Sequence, residues 1–282
     1  PYRPQTWSLG GKPTVGTDVP ITAVYLALYI CGAITHMTIF QKNKRRGHKF
    51  LMSGLLFGFC MARTVTCTLR IASICLSDDI PLSIAAAIFV AAGVVIIYIV
   101  NLIFTQRIVR AQHQNSGWHP LFKAFFIAIY VIIILTLLML ITSVVQSYYT
   151  LSSNTHRIDR DIQLYGATMY AVISFLPIPI IFFSLIVPRR VRTDKFGSGR
   201  FRTKIVVLLL AATLICCGAC YRAGSSWVTP VPTQNPVPWY HHRVYFYVFD
   251  FSVEVLVVYL YAFLRVDKRF HIPDGAHGPG SY

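Results

Sequence analysis

A chain of 282 residues in which 55% of positions are hydrophobic and only 13% charged departs from soluble domains, where about a quarter of residues are charged. Folded in water, it would leave too much apolar surface uncovered, so an ordinary soluble enzyme or binding module is excluded. The net charge of +16 has to be read from where the basic residues fall, because a basic total alone fits nucleic acid and membrane surfaces equally.

A bilayer-spanning helix needs roughly 20 mostly apolar residues, and seven runs qualify: 20–41, 49–76, 81–106, 121–149, 161–187, 203–226 and 241–265. None has the period-2 alternation of a barrel strand, and hydrocarbon admits only helices or closed barrels. The expected fold is all-α, one polytopic domain of seven transmembrane helices with little mass outside lipid. The chain starts at Pro1 rather than Met, which fits a trimmed start, and the first run is long enough to be a true span rather than a signal-peptide core.

The loops separate by charge. The first carries Lys42, Lys44, Arg45, Arg46 and Lys49, the third Arg107, Arg110 and Lys123, the fifth seven basic residues from Arg189 to Lys204, and the tail Arg265, Lys268 and Arg269. Of the 26 lysines and arginines, most therefore fall on alternate connections; the opposite side has only Arg3, Lys12, Arg157, Arg160 and Arg243. That alternation is the positive-inside signature, placing the N-terminus outside and the C-terminus in the cytoplasm. The clusters suit anionic lipid headgroups. No aromatic-interleaved basic patch accompanies them, so no nucleic-acid partner is expected. Localisation follows as an integral membrane protein of the plasma membrane or another secretory-pathway membrane.

Within the second span, Arg63 and Arg70 fall about 20° apart on one helical face, with Gly54, Gly58 and Ala62 broadly opposite. Small residues four apart allow a neighbouring backbone to approach, so both faces of this helix are expected to meet protein. The third span repeats the pattern with Ser83, Ala87 and Ala91 and holds Asn101 deeper. The short second and fourth loops make spans 2–3 and 4–5 antiparallel neighbours. Pro177 and Pro179 should kink the fifth span. All seven cysteines lie in predicted helices; Cys75 and Cys220 come near the same membrane surface, although packing as small residues is the simpler use for both. The sixth connection holds Pro230, Pro232, Pro236 and Pro238 among Trp227, Trp239 and Tyr240, either a stiff spacer or a cover for the outer mouth of the bundle.

The seventh span sets Tyr247, Asp250, Glu254 and Tyr261 in a stripe about 60° wide. Ionised side chains at membrane depth are expensive unless paired or hydrated, and usually mark a pocket or pathway. Arg63, Arg70, Arg222, Asp250 and Glu254 are therefore the candidate ligand-binding residues, with Tyr247 and Asn101 beside them. Counting rise along the spans pairs Arg63 with Asp250 near mid-depth and leaves Glu254 deeper without a cation at its level, where desolvation would favour the protonated form. Two uses are open: the charges line a ligand or ion site, or they only pin helices 2, 6 and 7 together.

Known heptahelical chemistries do not fit. Every lysine lies in a loop, tail or helix end, so no retinal Schiff base is available. Asp-Arg-Tyr after the third span and Asn-Pro-x-x-Tyr in the seventh are both missing. His36 is the one histidine well inside a span, against the pairs that haem needs. His241 and His242 lack a third zinc ligand. No catalytic set, metal or cofactor is expected.

Asn101 through Arg110, followed by Gly117-Trp118-His119, resembles an uncharacterised family of seven-span membrane proteins from filamentous fungi, as do Met61-Ala62-Arg63, Arg70-Ile71-Ala72 and Arg265 through Phe270. That family implies the same fold and no assigned activity. Tyr221-Arg222 and Tyr247-Val248-Phe249-Asp250 are more distantly similar to the fungal lipid-translocating exporter family, which implies lipid transport involving Arg222 and Asp250. The chain departs from that family where a glutamate usually follows the helix-6 arginine, having Ala223-Gly224-Ser225-Ser226 instead. The expected function is binding or translocation of a small amphipathic or anionic molecule, with membrane lipids as partners. The alternatives are a sensor that recruits a cytoplasmic protein through residues 189–204 and a structural membrane protein.

Overall fold

The computed structural model describes residues 1–2, 4–48, 50–188, 193–273 and 275–282. Arg3, Lys49, Arg189, Arg190 and Arg192 lie outside the described residues, and with them part of the basic stretch 189–204. Seven helices are long and apolar enough to cross a membrane: α1 Val15–Arg45, α2 Leu51–Cys75, α3 Ile80–Gln112, α4 Pro120–Tyr149, α5 Ser153–Ile186, α6 Phe201–Trp227 and α7 Arg243–Phe263. They point to an integral membrane protein. Among the described residues there is no strand, only an isolated antiparallel bridge between Thr6 and Pro232.

The helices overrun several of the apolar runs. α1 reaches Arg45, α3 Gln112, and α5 starts at Ser153, because backbone pairing continues where polar side chains have already begun. Three helices are irregular, each at an identifiable cause. α3 consists of Ile80–Ala92 and Val95–Gln112, joined at Gly93–Val94. α5 breaks at Leu176, after which Pro177 opens a second segment, Pro177–Ile186; proline lacks the N–H that would continue the ladder. In α7 a π-helical stretch, Tyr247–Ser252, separates Arg243–Phe246 from Val253–Phe263.

Consecutive helices pack side by side from α1 to α6, α7 closes the ring against α6 and α1, and the second half of α3 runs up the middle against α2, α4, α5 and α6. This half of α3 is buried on nearly every side, with Ile97, Val100, Leu102, Phe104 and Ile108 fully enclosed. α4, which contains an 18-residue window of mean hydropathy 3.1, lies on the rim and exposes Ile127, Val131, Leu135 and Leu138, as a lipid-facing helix does.

Both ends of the bundle are capped. At the N-terminal end the first residues pair with the proline-rich connection: the Trp7 N–H donates to Val231 O at 3.0 Å and the Thr233 N–H to Gln5 O at 2.9 Å. The proline run thus acts as a cover together with the chain's own start. At the C-terminal end Phe104 stacks on Phe270, against which Phe196 packs at a tilt, and Lys204 donates to Phe196 O. Arg107 donates to Phe270 O at 2.6 Å and Arg110 lies over Trp118, so several of the basic residues are engaged in holding this cap.

Candidate functional site

Arg63 and Glu254 form the centre of the bundle. Arg63 Nε donates to Glu254 Oε2 at 2.6 Å and Nη2 to Oε1 at 2.5 Å, with both side chains 1% exposed. Such a two-pronged pair is among the stronger charge-assisted contacts. Tyr29 OH adds a third donor to Glu254 at 3.2 Å. The rest of the guanidinium is used as well: Nη1 donates to Val90 O at 3.1 Å and to Phe89 O at 3.4 Å, and the group lies against the Phe59 and Phe251 rings. Those carbonyls sit at the C-terminal end of the first half of α3, where the dipole is negative; Phe89 O also accepts from the Gly93 N–H and the Thr66 hydroxyl. Gly93 makes the approach possible, since a Cβ there would stand 2.7 Å from Arg63 Nη1.

The expected pairing of Arg63 with Asp250 is therefore corrected, and Glu254 is far from lacking a cation. Counted from the observed helix ends at about 1.5 Å per residue, Arg63 lies roughly 18 Å below Cys75 and Glu254 roughly 16 Å below Arg243, whereas Asp250 is only about 10 Å down. The ends of the apolar runs, residues 76 and 241, give the same order, with Glu254 rather than Asp250 level with Arg63, so the mispairing came from the depth count and not from the helix ends.

Asp250 faces Arg222 instead. Nε of Arg222 stands 3.1 Å from Asp250 Oδ1, but off line for a hydrogen bond, so neither carboxylate oxygen has a donor. Asp250 is 2% exposed and Arg222 15%. Arg222 also reaches toward Glu254 Oε1 at 4.0 Å and Tyr98 OH at 3.5 Å, which links the two pairs into an alternating row of four charges. The π-helical stretch that carries Asp250 fits against α6 at Gly218, where a Cβ would run into the Phe249 carbonyl. Segments of this kind often occur at functional sites.

Among the described residues Arg70 touches no carboxylate directly, although its charge reaches Asp250. Its guanidinium lies over the Phe246 ring at 4.3 Å and near Tyr247 at 5.6 Å, its Nε has no hydrogen-bond partner, and Gly10 of the N-terminal segment covers it. Among the described residues it takes part in no ion pair. Tyr247 OH bonds Thr22 at 2.9 Å and donates to Asp18 Oδ1 at 3.1 Å. Asn101 belongs to a separate contact deeper in the bundle, accepting from Tyr261 OH at 2.5 Å. The lone His36 packs between helices, its Nε2 3.1 Å from Val258 O. Cys75 and Cys220 are free thiols on exposed positions, and Cys220 lies 3.8 Å from Cys216 rather than near Cys75.

Sequence reasoning missed Asp18, which is fully buried and held by Arg243 at 3.0 Å and the Thr14 N–H at 2.7 Å. An aspartate two residues before the first apolar run, with threonine four residues earlier, is a helix-start signal that could have been found. It also missed Asp159, buried with both oxygens unpartnered. Beside the cap, burial holds His241 below its ordinary histidine range. Two shallow grooves lie away from these charges: one of about 450 Å³ between α5 and Trp227, lined by Leu164, Met169 and Val172, and one of about 360 Å³ along the Pro177–Ile186 segment.

Residues 193–271, from the fifth connection through α7, match a protein family described as a protein of unknown function, DUF3112. That stretch includes Arg222, Asp250 and Glu254 and leaves out Arg63 and Arg70. No curated protein and no solved structure matches the chain.

Proposed function

We propose that this is a membrane protein that binds a small anionic or amphipathic molecule at its N-terminal end, with Arg70 as the contact for the anionic group. The supporting observation is that Arg70 alone of the three intrabundle arginines has no carboxylate beside it among the described residues. A cation held between aromatic rings at that depth is costly without a counter-charge, and a bound anion would supply one. The rings of Phe246 and Tyr247 offer an apolar wall for an attached chain, and the N-terminal segment over Gly10 would have to lift or shift to admit it. The alternation of basic loops favours the N-terminal end as the external one, and the lipids of the surrounding bilayer are the nearest source of such molecules.

No catalytic set, cofactor or nucleic-acid partner enters this reading. Translocation would need a second state, because Arg63, Glu254 and the α3 carbonyls close the centre. That closure favours, as a second reading, a sensor in which the occupied site shifts α6 and a cytoplasmic protein meets the basic stretch 189–204.

Purified full-length protein heated with dodecanoate, dodecyl phosphate, inorganic phosphate or dodecanol tests the binding. The charged amphiphiles should raise the unfolding temperature by several degrees, dodecanol should not, and Arg70→Gln should remove the difference. Equal shifts from dodecanol, or an Arg70→Gln protein that responds like wild type, would overturn it. Uptake of labelled dodecanoate into sealed vesicles then separates translocation from sensing.

A further inference from the structure

Glu254 receives three hydrogen bonds, from Arg63 Nε, Arg63 Nη2 and Tyr29 OH. Asp250, one helical turn away on the same stripe, receives none on either oxygen although it is 2% exposed. Buried polar atoms normally find partners, and one that does not calls for an explanation. A carboxylate without donors is costly to bury, and a single proton removes that charge.

We propose that Asp250 is a proton-binding site and that protonation passes Arg222 from Asp250 to Glu254. The proton arrives from water at the N-terminal end, along the side of Arg222 that is still 15% exposed, and adds to one Asp250 oxygen; an O–H bond forms and no other covalent bond changes. Arg222 then loses its partner at 3.1 Å, and Glu254 Oε1, already 4.0 Å from Arg222 Nη2, is the remaining carboxylate within reach. The titratable and charged groups within electrostatic reach of Asp250 are Arg222 and Tyr221 of α6, Glu254 of α7, Arg63 and Arg70 of α2 and Tyr98 of α3, of which Arg222 stands nearest at 3.1 Å. A metal cation fits poorly in their place, since the Arg222 guanidinium occupies the open side of the carboxylate and would repel it.

The surroundings are suited to such a switch. Asp250 sits in the π-helical stretch of α7, whose backbone pairing is already displaced from the regular α ladder. Phe249 O in that stretch presses on Gly218, one turn from Arg222 on α6. A change in the partner of Arg222 therefore acts where α6 and α7 touch most closely. This inference does not rest on the anion at Arg70, and its readout is different.

Infrared difference spectra of the full chain in lipid, recorded across a pH titration, test it. Wild type should show a protonated-carboxyl C=O band that grows as pH falls. Asp250→Asn should remove that band, and Asp159→Asn, at the other unpartnered buried aspartate, should leave it. Arg222→Gln should move the midpoint to higher pH, because a nearby cation opposes protonation. Should Asp250→Asn fail to fold, Asp250→Glu must keep a band at a displaced frequency. A band that survives Asp250→Asn, that keeps its frequency in Asp250→Glu, or that never appears in wild type would overturn the proposal.

Discussion

Two arginine–carboxylate pairs lie within one helical turn of each other on α7, and they are built differently. Arg63 and Glu254 meet face on through two bonds, and every remaining polar edge has a partner on α1 or α3. Arg222 and Asp250 meet at a single 3.1 Å approach without an aligned hydrogen bond. The first pair joins four helices, α1, α2, α3 and α7, by geometry that the break at Gly93 makes possible. The second rests on an interrupted stretch of helix. Saturated buried charge acts as a fastener, and unsaturated buried charge is available to change state.

Removing one partner of the fastener gives the largest expected effect. Glu254→Gln leaves Arg63 buried with its charge uncompensated, which typically costs about 3–5 kcal/mol, enough to deplete folded protein in detergent. The double change Arg63→Met with Glu254→Leu should recover most of that loss, because well-packed apolar side chains can replace a buried ion pair. Chemical unfolding of the two single variants and the double variant measures the coupling. A Glu254→Gln protein as stable as wild type would erase the contrast between the pairs.

Next comes the close approach of α6 to the interrupted stretch of α7. Gly218→Ala sets a methyl against the Phe249 carbonyl, a backbone atom that cannot rotate away, and overpacking of that kind costs about 1–3 kcal/mol. Gly93→Ala makes a useful comparison, since there the obstacle is the Arg63 side chain. Both should lower the unfolding temperature, but only Gly93→Ala should lose its effect in the Arg63→Met, Glu254→Leu background.

Asp250→Asn should change stability by about 1 kcal/mol or less, because an oxygen without donors loses little when its charge is removed and Arg222 keeps Glu254 within 4.0 Å. A loss as large as that of Glu254→Gln would show that the two pairs are equivalent, contrary to their geometry.

The sequence showed which charged residues lie inside the bundle better than it showed which of them meet. Seven spans, the arginine face of α2 and the carboxylate stripe of α7 follow from apolar run length and helical spacing, since hydrocarbon leaves the backbone few choices. The partners did not follow, because residues at similar depth meet only if their side chains turn toward each other, and that depends on local geometry such as the π-helical stretch that carries Asp250. The π-helical stretch and the break at Gly93 leave weaker traces. A glycine inside an apolar run is compatible with a plain helix, a kink or a close approach, and only the position of Arg63 shows which one Gly93 serves.

The C-terminal end supplies an ion pair against which both buried ones can be measured. Arg265 donates to Asp267 at 2.9 and 3.0 Å, and Asn43 donates to the same carboxylate at 2.9 Å. Burial pushes the Asp267 carboxyl up, but the bonds from Arg265 and Asn43 outweigh it and hold the group below its usual range. The folded state is thus the stronger acid. Its contribution is present in full above the unfolded aspartate value of about 3.9 and is lost as pH falls through the lower folded value. Arg265 is 45% exposed, so salt should screen this pair, while leaving Arg63–Glu254 unaffected. Asp267→Asn should therefore lower stability slightly at neutral pH and converge with wild type in acid, and high salt should narrow the neutral gap. Parallel curves in acid, or a gap indifferent to salt, would mean that Asp267 acts by packing rather than by charge.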